Sequence, residues 1–191
     1  MAADHTNELR LIVMKNFNIA RILETTPDLN LKNWYLGGGC IAETVWNHLH
    51  GFDPTAHIKD YDLVYFDDSD LSGEMEDRMA TKCNGRFSDL NITIDVKNEA
   101  RVHLWYHDSF GKEILPYSSA EDAISNWPST ATSVGIRTSH SGEFEIYVPF
   151  GLDDLFEMIV RPNKRQVPRR VYEEKARRWV KMWPRLRVIQ W

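Results

Sequence analysis

Three consecutive glycines, Gly37, Gly38 and Gly39, stand between the short apolar run "NWYL" and a segment in which Cys40, Ile41, Val45, Trp46 and Leu49 recur at helical spacing. This is the feature that most restricts the fold. The run predicts a strand, the apolar stripe predicts a helix that Gly51 closes, and the glycines predict a turn without side chains between them. A strand that feeds directly into a helix through bare backbone brings amide N–H groups and a helix N-terminus to one point, the arrangement that receives a phosphate group.

The remaining periodicities place this unit in an α+β chain. Leu9, Ile12, Val13, Ile19, Ile22 and Leu23 predict one helix over Thr6–Glu24, stopped by "TTPDLN". Strands are expected at 60–66, in "DLNITIDVKN" and in "EFEIYVPF", where β-branched and aromatic residues alternate with polar ones. Helices are expected at 69–82, in "SSAEDAISNWPST" before Pro128, in "GLDDLFEMIV" and in "RRVYEEKARRWVKMW" before Pro184, and "EARVHLWYHD" reads as helical or mixed. The expected architecture is a small mixed or antiparallel sheet flanked by helices. At 191 residues, a single domain is expected, with an N-terminal helix (1–30), a central head (31–165) and a C-terminal helix (166–191).

Charge narrows the function classes. The net charge of −5 argues against coating nucleic acid by bulk charge, although "RPNKRQVPRRVYEEKARRWVK" concentrates basic residues near the end. No apolar run is long enough to span a membrane, and the acidic, amphipathic start gives no signal-peptide pattern, so a cytoplasmic protein is expected. Cys40 and Cys83 form no C-x-x-C pair and are expected as buried thiols rather than as a disulfide or a zinc site. No G-x-S-x-G elbow occurs for serine catalysis.

The chemistry is carried by acids in "IKDYDLVYFDD". Side chains two apart on a strand share a face, so Asp60 and Asp62 stand together while Tyr61, Leu63 and Tyr65 face the other way. Two like charges at the head of an apolar strand face either solvent or a cation. Asp95, inside the apolar "ITIDVKN", is a third acid for the same cluster if the two strands are neighbours. Acids beside a phosphate cradle supply what two Mg²⁺ ions about 3.5–4 Å apart require.

With these residues in place, "LGGGCIAETVWNHLHG", "KDYDLV" and "IDVKNEAR" together resemble the polymerase-β-type nucleotidyltransferase superfamily, most closely the head domain of CCA-adding enzymes and bacterial poly(A) polymerases. "SAEDAISNWPSTATSVGIR" and "IYVPFGLDDLFEMIVRP" fall where that head has its later motifs, so the resemblance runs over roughly residues 31–165. It implies a palm fold and an enzyme that moves a nucleoside monophosphate from an NTP to a hydroxyl acceptor. It also implies Mg²⁺ or Mn²⁺ as cofactor, with two ions present when NTP is bound. Gly38 and Gly39 are then expected on the phosphates, Asp60 and Asp62 on both metals, and Asp95 on the catalytic metal and the nucleophile.

The departures from that head are specific. Ala42-Glu43 stands in place of its Arg-Asp, and "SNWPST" in place of its R-R-D-F-T. Replacement nucleotide ligands are therefore expected among Arg101, Arg137 and Arg161, with Lys164 and Arg165 as further candidates; Arg161 leads, as a charge directly after an apolar helix. The neck, body and tail that hold tRNA are not matched, so a stand-alone head is expected. "EEKAR", residues 173–177, echoes a base-reading motif of the neck, but its spacing is also that of ordinary helix-surface ion pairs. Trp179, Trp183 and Trp191 are expected to dock the last helix rather than to stack bases. The acceptor pocket is expected from the N-terminal helix and residues 100–140. Two other readings stay open: a catalytically inactive nucleotide-binding or regulatory module, and an RNA 3′-end binding protein.

Overall fold

The computed structural model describes residues 5–191. In chain order it contains α1 (His5–Val13), α2 (Phe17–Thr25), β1 (Tyr35–Gly37), α3 (Gly39–His50), β2 (Tyr61–Tyr65), α4 (Gly73–Arg86), β3 (Ile94–Asn98), α5 (Val102–Phe110), α6 (Ala120–Ile124), β4 (Gly135–Thr138), β5 (Phe144–Tyr147), α7 (Asp153–Phe156), β6 (Ile159–Val160), α8 (Arg169–Met182) and β7 (Arg187–Val188). Residues 1–4 of the expected N-terminal helix lie outside the described residues.

The single helix expected over Thr6–Glu24 is two helices, and Asn16 is the reason. Its backbone is extended and its side-chain oxygen accepts from the amides of Asn18 and Ile19, which starts a new helix by capping it. Its amide donates to Thr44 Oγ1 (3.0 Å) and to the Pro54 carbonyl (3.1 Å), so the break is tied to α3.

β3, β2, β1, β4 and β5 lie side by side in that order in one sheet. β2 and β3 run parallel, and the other neighbours are antiparallel. β4 has no counterpart among the expected strands, because four residues headed by a glycine give no alternation to read. The same holds for the short parallel pair β6–β7. One face of the large sheet carries Leu36, Tyr61, Leu63, Tyr65, Ile94, Val96 and Ile136, all buried in the main core against α1, α2 and α3. The other face carries Tyr35 and Val64, which pack on Ala120 and Ile124 of α6, and beside them Gly37, Asp62 and Asp95. The strand alternation thus assigns hydrophobic and acidic residues to opposite faces, as period-two geometry requires.

The last helix docks through tryptophan. Trp179 and Trp183 are each 1 % exposed and both pack on Trp46 of α3 with ring centroids 5.6 Å apart. Their indole N–H groups donate to Glu43 (2.9 Å) and Asn47 (2.8 Å). Trp191 is only partly buried; it packs near Tyr172 and under the ammonium of Lys164. Cys40 and Cys83 are buried free thiols. Among the described residues, no helix is long and apolar enough to cross a membrane.

Candidate active site

The glycine turn exists because two groups leave no room for side chains. A Cβ on Gly37 would stand 2.5 Å from the Val134 carbonyl oxygen and 2.8 Å from the Trp127 ring. Gly38 holds φ at +71°, in the region that side-chain-bearing residues avoid, and a Cβ there would meet an Asp62 carboxylate oxygen at 3.0 Å. Its amide donates to the Val134 carbonyl (3.0 Å). Gly38 therefore shapes the turn and lets Asp62 approach, while its own N–H is committed to the sheet. The amides of Gly39, Cys40 and Ile41, in the first turn of α3, have no intrahelical acceptor and carry the positive end of the helix dipole.

Asp62 lies abreast of Gly37 on one side and of Asp95 on the other. Asp60 precedes β2, and its only ion pair among the described residues is a loose one with Lys59 (3.9 Å). Burial pushes the Asp62 carboxyl up to about 7, and the charges of Asp60, Asp95 and Glu43 add to that effect while Lys175 opposes it. Asp95 is half exposed and paired with Lys97 at 3.3 Å. Asp62 and Asp95 thus share one sheet face, and Asp62 feels the charge of both Asp60 and Asp95. They do not form a closed cage: among the described residues, no three His, Cys, Asp or Glu side chains are grouped to hold an ion by themselves. An all-oxygen set of this kind suits a hard cation that takes one or two carboxylates from protein and further oxygens from phosphate and water.

A cavity of about 170 Å³ lies beside Asp62. Its lining comes from the glycine turn (Gly38 and Gly39), from Lys97 and Glu99 at the end of β3, from Trp127, Pro128 and Thr132, and from Lys175 and Trp179 of α8. Glu99 is 6 % exposed; burial first, then Asp62, Glu76 and Asp95, push its carboxyl up to about 8 against the pull of Lys97. Glu43 stands one helical turn beyond Gly39, is 3 % exposed, and accepts from both Trp179 and Arg178 (3.2 Å). Burial raises its pKa, and those two partners hold it back.

The arginines expected on the nucleotide all lie outside this cavity. Arg101 donates to the Leu71 carbonyl (2.9 Å) and pairs with Glu76. Arg137 donates to Glu145 (2.6 and 2.8 Å) and to Asn33, and lies over the Tyr35 ring. Arg161 follows β6 rather than the expected apolar helix, of which only Asp153–Phe156 is helical, and its charge is explained by two hydrogen bonds to Asp154 (2.9 and 3.1 Å). Lys164 rests on Trp191 and Arg165 on Phe150. Glu173 and Arg177 of "EEKAR" border a different groove, between α8 and the C-terminal strand, where Glu173 is paired with Arg169 and Arg177. The N-terminal helices pack on the main-core face, so none of their residues lines the cavity. Of residues 100–140, Trp127, Pro128 and Thr132 do.

Glu99, Trp127 and Lys175 are pocket residues that sequence reasoning did not single out. Only Glu99 left a linear signal, an acid in "IDVKNEAR" four residues after Asp95. The other two reach the cavity from distant segments.

Comparison with known proteins agrees with this geometry. A solved structure described as an NMR structure revealing a CCA-adding enzyme head domain superposes with a TM-score of 0.76 at 26 % identity, over 94 % of this chain and 95 % of that one. A tRNA-processing enzyme in an apo form shares 13 % identity over 88 % of this chain, with a TM-score of 0.49, and a tRNA-processing enzyme with CTP shares 15 % over 74 %, with a TM-score of 0.43. This chain spans less than half the length of either, 44 % and 35 %. No curated protein matches in sequence. A family model described as Nucleotidyltransferase matches residues 24–188, and with the strand, glycine turn and helix beside the acids, this chain belongs to the nucleotidyltransferase family.

Proposed function

We propose that the chain transfers a nucleoside monophosphate from an NTP to a hydroxyl acceptor and releases pyrophosphate. The observation that carries this reading is the register of Gly37, Asp62 and Asp95 across three adjacent strands, at the mouth of the first turn of α3. The first-turn amides, without intrahelical acceptors, receive phosphate oxygens, and Trp127 and Trp179 give the cavity part of its apolar lining. Asp60, Asp62 and Asp95 are the residues that would hold Mg²⁺ or Mn²⁺. Bound there, such ions neutralise the triphosphate and acidify the acceptor hydroxyl.

In the transfer step the acceptor oxygen bonds to the α-phosphorus as the bond from that phosphorus to the α–β bridging oxygen breaks. The electron pair leaves with pyrophosphate. A carboxylate oxygen of Asp95, half exposed and open to an incoming group, takes the hydroxyl proton. Positioning and charge neutralisation supply most of the rate in reactions of this type.

Thermal melting with Mg²⁺ or Mn²⁺ and each of the four NTPs tests the donor half. A metal-dependent rise with one NTP, absent in Asp60→Ala/Asp62→Ala, supports the reading. A rise that the double variant retains defeats it. Metal-dependent binding with no pyrophosphate release for any acceptor favours a non-catalytic nucleotide module instead.

A further inference from the structure

We propose that Lys175, on the C-terminal helix, is the cation that holds the triphosphate of the donor nucleotide; the inference rests on the nucleotidyl-transfer reading above. Lys175 lines the cavity together with Gly38, Gly39 and Asp62, and its charge acts on both Asp62 and Glu43. Yet among the described residues it makes no ion pair within 4 Å and no hydrogen bond.

That isolation sets Lys175 apart from the other cation of the cavity. Lys97, the other cation that lines the cavity, is paired with Asp95. On α8 itself, Arg178 is paired with Glu43, and Arg169 and Arg177 with Glu173. The arginines expected to bind nucleotide are engaged elsewhere, Arg101 with Glu76, Arg137 with Glu145 and Arg161 with Asp154. An ammonium that pairs with none of the acids whose charge it acts on is free to meet an anion brought in from outside.

Charge balance says what that anion is. Asp62 and Glu99 line the cavity and the charges of Asp60, Asp95 and Glu43 act on Asp62, so a polyanion entering such a place meets repulsion except where positive charge faces it. The amides at the start of α3 face it from one side. Lys175, carried by α8, adds the second positive charge to the same lining. A chain of phosphates is long enough to meet both groups at once, whereas a single phosphate is held by one of them. Lys175 is therefore expected to discriminate by phosphate number.

The helix that carries Lys175 is fixed independently of it. Tyr172, Ala176 and Trp179, which flank it on α8, are buried, and the Tyr172 hydroxyl lies 2.8 and 2.6 Å from the carbonyl oxygens of Val160 and Ile189. Lys175 itself is exposed, so substitution removes a charge without opening the core. A flexible side chain on a rigid backbone suits a phosphate ligand that acts as a point charge.

The test titrates inorganic tripolyphosphate, each of the four NTPs and the matching NMPs, with Mg²⁺, into wild type, Lys175→Met, Lys175→Arg and Lys181→Met. Lys181 is exposed on the same helix and outside the cavity. Lys175→Met is expected to weaken tripolyphosphate and NTP by about tenfold or more, the size of a charge-assisted hydrogen bond, and NMP by less than twofold. Lys175→Arg is expected to restore most of the loss, and Lys181→Met to change nothing. Equal weakening of NTP and NMP, or unchanged tripolyphosphate affinity in Lys175→Met, overturns the proposal. If Asp62→Asn abolishes NTP binding while Lys175→Met retains it, only this inference falls. If wild type binds neither tripolyphosphate nor NTP, the nucleotide reading falls, and this inference with it.

Discussion

Asp62 and Asp95 are register partners in the one parallel strand pair of the five-stranded sheet, side by side on the face that Tyr61, Leu63, Ile94 and Val96 avoid. Burial disfavours the charged form of Asp62, the charges of Asp60 and then Asp95 add to that effect, and the carboxyl is pushed up to about 7. A carboxyl whose folded pKa is raised binds its proton more tightly in the native state. Its stabilising contribution is fully present below the unfolded pKa near 4 and is lost as pH rises through about 7. Metal-free protein is therefore expected to lose stability between about pH 4 and 8. Asp62→Asn is expected to be more stable than wild type by about 1–3 kcal/mol at pH 8 and nearly equal at pH 4. Urea melts across pH check the sign; a loss of stability in Asp62→Asn at pH 8 would contradict it.

The same proton governs cation affinity, because a divalent ion binds the carboxylate and not the acid. Mg²⁺ or Mn²⁺ is expected to raise the melting temperature at pH 8 and to have little effect at pH 5. Calorimetric titration at both values measures the difference, and equal affinity at both would place the ion away from Asp62.

Gly37→Ala is expected to cost about 1–3 kcal/mol by overpacking, since the new methyl group meets the Val134 carbonyl and the Trp127 ring. Gly38→Ala is expected to cost a similar amount, about 1–3 kcal/mol, through its backbone conformation. The added Cβ at Gly38 also crowds Asp62, so this variant should weaken NTP binding even where it folds. Denaturation midpoints and NTP titration on the two variants separate the effects.

Trp179→Ala removes a side chain that is 1 % exposed and leaves Glu43 with Arg178 alone. The expected cost is about 3–5 kcal/mol. Trp179→Phe keeps most of the packing but loses the indole donor, and about 1–3 kcal/mol is expected for a buried carboxylate left short of a partner. Chemical denaturation of both, with Glu43→Gln as the paired change, checks whether the hydrogen bond or the packing dominates.

Arg101→Ala is expected to destabilise the protein by about 1–3 kcal/mol, because Glu76 is left half-matched in a largely buried place, and to leave NTP affinity within twofold of wild type. Arg161→Ala is expected to leave NTP affinity unchanged as well, since its guanidinium is held by Asp154 outside the cavity. A tenfold loss of affinity in either variant would return that arginine to the nucleotide site.

What the sequence made legible was local. The three glycines, the D-x-D spacing and the acid within an apolar strand are linear patterns whose geometry follows from a turn and from period-two alternation. That Asp62 would lie abreast of Asp95 was readable only as an expectation, because no local signal sets which strands become neighbours. Trp127 and Lys175 carry no such signal; the first is brought to Gly37 by the loop after α6 and the second by a helix that docks through Trp179 and Trp183. Conversely, an arginine in a suggestive place was read as a ligand when a partner seven or eight residues away in the chain, as for Arg161 with Asp154 and Arg137 with Glu145, had already claimed it. The break at Asn16 was missed for a related reason: the apolar stripe continues through it, while the capping hydrogen bonds and the tie to Thr44 decide the backbone.

The most direct test of nucleotidyl transfer needs no knowledge of the acceptor. Water is a slow substitute for any hydroxyl, so wild type and Asp62→Asn are incubated with Mg²⁺ and the NTP that binds best, labelled separately at the α- and γ-phosphates, and the products are resolved. Cleavage between the α- and β-phosphates, giving NMP and labelled pyrophosphate with wild type and none with Asp62→Asn, is the expected result. Release of inorganic phosphate from the γ-position, or cleavage that Asp62→Asn retains, would contradict the account.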